Sequence, residues 1–178
     1  MVIEFNNDLY TIVQFQHVKP GKGPAFVRTK LKSIKTGRVL DNTFSSGTKV
    51  NVARVERRPY QYLYKDDIGY YFMHRETYEQ IHVEEFVIDN PEFLMEGQNV
   101  EVVVHADTEN VLSVELPQFV VMEVVYSEKG LKGDTATNAY KQAKLENGST
   151  IMVPLFVNTG DKIRIDTRDK VYVERVKG

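Results

Sequence analysis

Apolar and polar residues alternate along nearly the whole chain, and a period of two marks strands with one buried face. The pattern predicts a first group of strands over residues 2–5, 9–17, 25–33, 38–44 and 49–55. A second group covers residues 60–65, 69–74, 80–86, 100–105 and 111–115, and a third covers 119–126, 143–145, 150–154, 162–166 and 171–176. Turn formers stand between them: Asn6-Asn7-Asp8, Asp66-Asp67-Ile68-Gly69, Asp107-Thr108-Glu109-Asn110, Asn147-Gly148 and Thr167-Arg168-Asp169. Asn147-Gly148 is the strongest of these, since both residues tolerate positive φ and suit a tight hairpin. One short helical turn is expected around Pro91-Glu92-Phe93-Leu94-Met95. The expectation is an all-β protein of three small β-barrels in tandem, each removing its own sheet edges by closure.

Two proline-bearing stretches, Arg57-Arg58-Pro59 and Leu116-Pro117-Gln118, interrupt the alternation. Proline cannot donate to a ladder, so both read as joints. The expected domains are residues 1–57, 58–118 and 119–178, linked into an elongated body with some bending at the joints. Charge divides along the same lines. Residues 1–57 carry ten Lys/Arg against four Asp/Glu, a net +6. Residues 58–118 carry three against thirteen, a net −10, and residues 119–178 carry ten against eight, a net +2. A cationic end beside an anionic middle suits a polyanionic partner met by the ends of the molecule; solvated faces of uneven composition are the plainer account.

Composition narrows the chemistry. The hydrophobic fraction of 42% and charged fraction of 27% exclude a disordered chain. The absence of cysteine excludes disulfides and thiolate catalysis and suits a reducing compartment. The first residues lack the basic and apolar regions of a signal peptide, and no apolar run reaches membrane-spanning length, so a cytoplasmic protein without membrane contact is expected. His17, His74, His82 and His105 are scattered, without metal-ligand spacing or a nucleophile beside them. No nucleophile elbow, phosphate loop or dinucleotide fingerprint is present, so no enzyme, metal or cofactor is expected. Asn147-Gly148-Ser149 matches a glycosylation sequon, a coincidence without a secretory signal.

The candidate chemistry lies at one loop, Lys19-Pro20-Gly21-Lys22-Gly23-Pro24, between two strand patterns. The prolines restrict φ and the glycines allow sharp turning, which makes a constrained stalk displaying Lys22. Beyond it Arg28, Lys30 and Lys32 fall on alternate positions, hence on one face, and with Lys19 and Lys22 they form a basic strip suited to phosphate contacts. A strand with one wet face is the plainer account of that strip. The tyrosines offer no identifiable stacking platform: Tyr60, Tyr62 and Tyr64 alternate as core residues do.

Three motifs in order carry a resemblance. They are His17-Val18-Lys19-Pro20-Gly21-Lys22-Gly23 with Ala25-Phe26-Val27-Arg28; Gly130-Leu131-Lys132-Gly133-Asp134-Thr135; and Lys141, Ala143, Gly148, Ile151, Val153-Pro154, Val157 and Gly160. The ending Ile165-Asp166-Thr167-Arg168 and Tyr172-Val173-Glu174-Arg175-Val176 also fits. The chain resembles the bacterial elongation factor P family nearly end to end. The resemblance implies an L-shaped arrangement of a KOW-type barrel and two OB-folds, bound to the ribosome beside peptidyl-tRNA. It implies relief of polyproline stalls, with Lys22 reaching the tRNA acceptor end while the ribosome performs the chemistry. It assigns tRNA or rRNA contact to Lys19, Lys22, Arg28, Lys30 and Lys32, to Gly133, Asp134 and Thr135 near the exit-site codon, and to Tyr172 and Arg175. A monomer is expected.

Two departures stand out. Family members begin earlier, so Met1 aligns with an internal family position. Pro24 makes the loop a symmetric Pro-Gly-Lys-Gly-Pro, whereas many relatives carry another residue there and have the lysine modified by a dedicated enzyme. A second fixed φ narrows the loop's freedom, and Lys22 is expected to act unmodified. An elongation-factor-P-like paralogue and a general OB-fold RNA-binding protein are the alternatives.

Overall fold

A computed structural model describes residues 1–129 and 139–177. Its strands fall into three antiparallel sheets, in chain order. The first holds β1 (Val2–Phe5), β2 (Asp8–Val18), β3 (Phe26–Ser33), β4 (Val39–Ser45) and β5 (Asn51–Val52), ordered β4-β3-β2-β1-β5. The second holds β6 (Val55–Lys65), β7 (Tyr70–His74), β8 (Gln80–Val83), β9 (Asn99–His105) and β10 (Val111–Glu115), ordered β10-β9-β6-β7-β8. The third holds β11 (Phe119–Ser127), β12 (Tyr140–Leu145), β13 (Thr150–Pro154), β14 (Lys162–Asp166) and β15 (Val171–Val176), ordered β13-β12-β11-β14-β15. The expected all-β fold is present, and both helical elements are single 3-10 turns, Glu85–Val87 and Pro91–Phe93.

The second and third sheets wrap separate apolar cores. Tyr60, Tyr62, Phe72, Val102 and Val114 fill one; Met122, Val124, Leu145, Val153, Ile163 and Ile165 fill the other. The first sheet buries less: Ile3 and Leu31 fully, with Phe5 edge-on to Tyr10 and Phe44. Two polar residues buried there are satisfied locally. Thr29 Oγ1 donates to the Asn42 carbonyl at 2.7 Å, and Ser33 Oγ accepts from the Thr36 N–H at 3.2 Å.

The proline-bearing stretch Arg57-Arg58-Pro59 is not a break. It lies inside β6, with Pro59 opposite Glu101 of β9. The Pro59 carbonyl accepts from the Arg75 N–H at 3.0 Å, just past the end of β7. Within an antiparallel strand a residue's nitrogen and carbonyl point to the same side, so the proline nitrogen faces the region β7 has left and no ladder bond is lost. The stretch expected as one strand over residues 49–55 instead splits at Ala53-Arg54, between β5 and β6. At Asn147-Gly148 only Gly148 takes positive φ, at 86°. Gly148 N–H donates to Leu145 at 2.9 Å and Leu145 N–H to Ser149 at 2.9 Å, a three-residue hairpin loop with a glycine bulge.

Two joints bind the sheets to each other. Lys32 of β3 donates its ammonium to the Phe86 carbonyl at 2.8 Å, and the Phe86 ring lies beneath Gly37. At the other joint Phe93, from the segment between β8 and β9, is buried in the third sheet's core with Met95 and Leu116 beside it. Glu92 next to it pairs with Lys170, and its carbonyl accepts from the Asn147 amide.

Candidate nucleic-acid interface

Strands β2 and β3 end in the pairs His17–Val27 and Val18–Phe26, and the loop of residues 19–25 projects beyond them. Every residue from Lys19 to Pro24 is exposed, so Lys22 stands in solvent at the tip. The two glycines differ. Gly23 has φ of 106°, a region side-chain-bearing residues avoid, whereas Gly21 does not take positive φ and has open space around its missing Cβ. A Cβ at Gly23 would touch Pro20 Cγ at 4.0 Å, so the two limbs of the loop lie close together.

Below the loop, a β-bulge at Val13 decides which residues share the outer face. Ile12 opposes Leu31, but Gln14, two residues on, opposes Lys30, only one residue back along β3. The extra residue turns Gln14 and Gln16 out beside Lys30 and Arg28. On the other flank Lys30 opposes Asp41 and Arg28 opposes Thr43. The result is a shallow polar groove lined by Gln14, Gln16, Arg28, Lys30, Asp41 and Thr43. The Arg28 guanidinium stands 5.5 Å from the centre of the Phe26 ring, a contact that orients it without consuming its donors. A groove with two cations and several amide and hydroxyl groups is equipped for phosphate and ribose oxygens.

Lys32 does not belong to this groove. It shares the strand face of Arg28 and Lys30, but its ammonium is half-buried against Phe86 and holds the joint between the first two sheets. Lys35 pairs loosely with Asp8 at 4.0 Å. Lys19, Lys22, Arg28 and Lys30 are therefore the expected contact residues that the fold gathers on the loop and the surface beneath it. At the far end, Tyr172 is half-buried against the third core, and Arg175 lies 5.2 Å from the Phe156 ring centre and 3.5 Å from the Asp161 carboxylate. Gly133, Asp134 and Thr135 lie outside the described residues. Among the described residues no cluster of His, Asp or Glu could hold a metal ion.

The acidic middle sheet is laced by its own arginines. Arg57 pairs with Glu101 and Glu115, and Arg58 with Glu56 and Glu109. Two of its histidines, His74 and His105, serve the structure. His105 is buried with Nδ1 2.7 Å from Thr108 Oγ1, and His74 Nδ1 accepts from the Glu76 and Thr77 N–H groups. Sequence reasoning missed both joint residues, Phe86 and Phe93, since a lone phenylalanine near a strand end does not reveal which sheet it serves.

The chain matches three family descriptions in succession. These are "Elongation factor P (EF-P) KOW-like domain" over residues 1–50, "Elongation factor P (EF-P) OB domain" over 55–114 and "Elongation factor P, C-terminal" over 120–175. It is 58% identical over 177 residues to elongation factor P of Amoebophilus asiaticus, spanning 99% of this chain and 93% of that one. It is 56% identical to elongation factor P of Azobacteroides pseudotrichonymphae, over 99% of this chain and 95% of that one. It is also 56% identical to elongation factor P 1 of Porphyromonas gingivalis, over 99% and 94%.

Proposed function

The chain belongs to the elongation factor P family, and from that premise we propose that this translation elongation factor promotes peptide-bond formation at polyproline stalls by presenting Lys22 to the acceptor end of peptidyl-tRNA. One observation carries the reading: Lys22 is exposed at the tip of a proline-braced loop whose base runs directly into the groove of Arg28 and Lys30. The groove anchors tRNA and rRNA phosphates, while the loop reaches beyond them. The ribosome performs the chemistry. The factor contributes by holding a poorly reactive prolyl substrate in near-attack geometry, where lost translational and rotational freedom makes up much of the barrier. A flexible ammonium suits this task as a movable point charge.

Pro20 and Pro24 bracket the loop, and Gly23 holds it in a conformation that brings its limbs together. This bracing supports activity of Lys22 without modification. Arg175 and the segment of Gly133, Asp134 and Thr135 serve as a second RNA contact at the opposite end. The factor acts as a cytoplasmic monomer on the ribosome, and the acidic middle sheet faces away from RNA.

The test is translation of a message with three consecutive proline codons in a reconstituted system. Wild-type protein relieves the stall, while Lys22→Ala folds normally and does not. Equal stimulation by both proteins refutes the proposal and leaves a general RNA-binding role. Intact-mass measurement on protein from its native host decides the modification: a stoichiometric addition at Lys22 refutes action by the bare lysine.

A further inference from the structure

We propose that the outward face of the second sheet is a docking surface for an arginine-rich segment of a partner protein. The face is created by a bulge. Tyr62 opposes Phe72, but Tyr64 opposes Tyr71, so Leu63 is the extra residue and Tyr64 turns to the opposite side from Tyr62. Tyr71 in turn opposes His82 of β8. The three rings form one rung across β6, β7 and β8. Tyr64 and Tyr71 stack with centroids 4.6 Å apart and planes 17° apart, and Tyr71 and His82 are 5.9 Å apart and tilted by 33°. Tyr64 is 46% exposed and His82 is exposed, so this is aromatic surface outside the core.

Charge selects the occupant. Stacked rings alone would accept either nucleobases or guanidinium groups. Lys65 ends β6 with its ammonium over the ring of the core residue Tyr70, 4.9 Å from its centre. Asp66 and Asp67 follow it, Glu84 follows β8, and all three carboxylates are exposed. Asp66 is held in place by its own turn, its Oδ1 accepting from the Ile68 and Gly69 N–H groups at 2.8 and 3.1 Å. Residues 58–118 hold thirteen carboxylates against three cations, a field that repels phosphate and attracts a basic peptide. Arginine fits better than lysine, since a planar guanidinium can lie on a tyrosine face while its edge donates to a carboxylate. The surface lies on a different sheet from Lys22, so the inference does not depend on how that lysine works.

The full chain is titrated with a peptide of alternating arginine and glycine, a matched lysine-glycine peptide, and oligouridylate, with backbone amides followed by NMR. The arginine peptide is expected to shift the amides of Tyr64, Tyr71 and His82 and to bind about fivefold more tightly than the lysine peptide. Tyr64→Leu, which removes an exposed ring, weakens it by about the same factor. His82→Ala weakens it less, Lys22→Ala leaves it unchanged, and melting curves confirm that each variant is folded. Equal binding of both peptides with no effect of Tyr64→Leu overturns the proposal in favour of diffuse charge attraction. Oligouridylate shifting the same amides overturns it in favour of a nucleic-acid surface. No shift with the arginine peptide at low salt overturns it outright.

Discussion

Lys32 Nζ lies 2.8 Å from the carbonyl oxygen of Phe86, and this bond ties the first sheet to the second. It separates Lys32 from its neighbours on the strand. Arg28 and Lys30 face solvent with their charges available, while Lys32 satisfies a backbone acceptor on another domain. Substitutions at these alternate positions should therefore fail in different ways.

Lys32→Met is expected to lower stability by about 1 kcal/mol, the usual net worth of a hydrogen bond with a charged donor at a partly exposed site. Small-angle scattering should show a wider spread of orientations between the first two sheets. Gly37→Ala tests the same joint from the other side. Its Cβ would fall 2.8 Å from the Phe86 ring at a backbone φ of 71°, so both crowding and strain oppose it. A loss of about 1–3 kcal/mol in denaturant melts is expected. Wild-type stability in both variants would show that the joint does not hold the sheets.

Arg28→Gln and Lys30→Gln should leave the melting temperature unchanged and weaken ribosome binding. Each removes one phosphate-neutralising charge, so the slope of log affinity against log salt should fall by about one per substitution. Lys32→Met should leave that slope alone. A slope unaffected by Arg28→Gln would remove the groove from the interface.

The two loop glycines make a matched pair. Gly21→Ala meets open space at an ordinary φ and should support near-wild-type stimulation on a triple-proline message. Gly23→Ala is strained at φ of 106° and should cost about 1 kcal/mol in the loop conformation, reducing stimulation while leaving global unfolding intact. Equal activity of the two variants would mean that the bound loop does not use the conformation described here.

Asp166 gives a pH signature. The Gln118 amide donates to its carboxylate at 3.1 Å and holds its pKa below the usual aspartate range. Desolvation opposes this, while the Asp169 and Arg168 N–H groups and the Arg168 charge add to the lowering. A carboxyl whose folded pKa lies below its unfolded value contributes stability above the unfolded pKa and loses it as pH falls through the folded one. Unfolding free energy measured between neutral pH and strong acid should thus decline at the acid end. Asp166→Asn should flatten that limb; an unchanged acid limb would place the sensitivity elsewhere.

Much of this molecule was legible in one dimension. Alternation located the strands because each sheet buries one face, and proline, glycine and charge marked the loop, its lysine and the acidic middle. What alternation could not reveal were the bulges, those at Val13 and Leu63 among them. A strict period of two keeps Tyr64 on the face of Tyr60 and Tyr62, and separates Gln14 from Lys30. The extra residues Leu63 and Val13 reverse both readings. Nor could it show that Lys32 binds Phe86 or that Phe93 enters the third core. The sequence by itself determined where most of the strands lie, the segregation of charge and the displayed lysine, since these follow from local sterics and composition. The tertiary structure alone decided which face each side chain occupies past a bulge and which sheet each joint residue serves. A bulge and a joint are properties of the partner strand as much as of the residue that makes them.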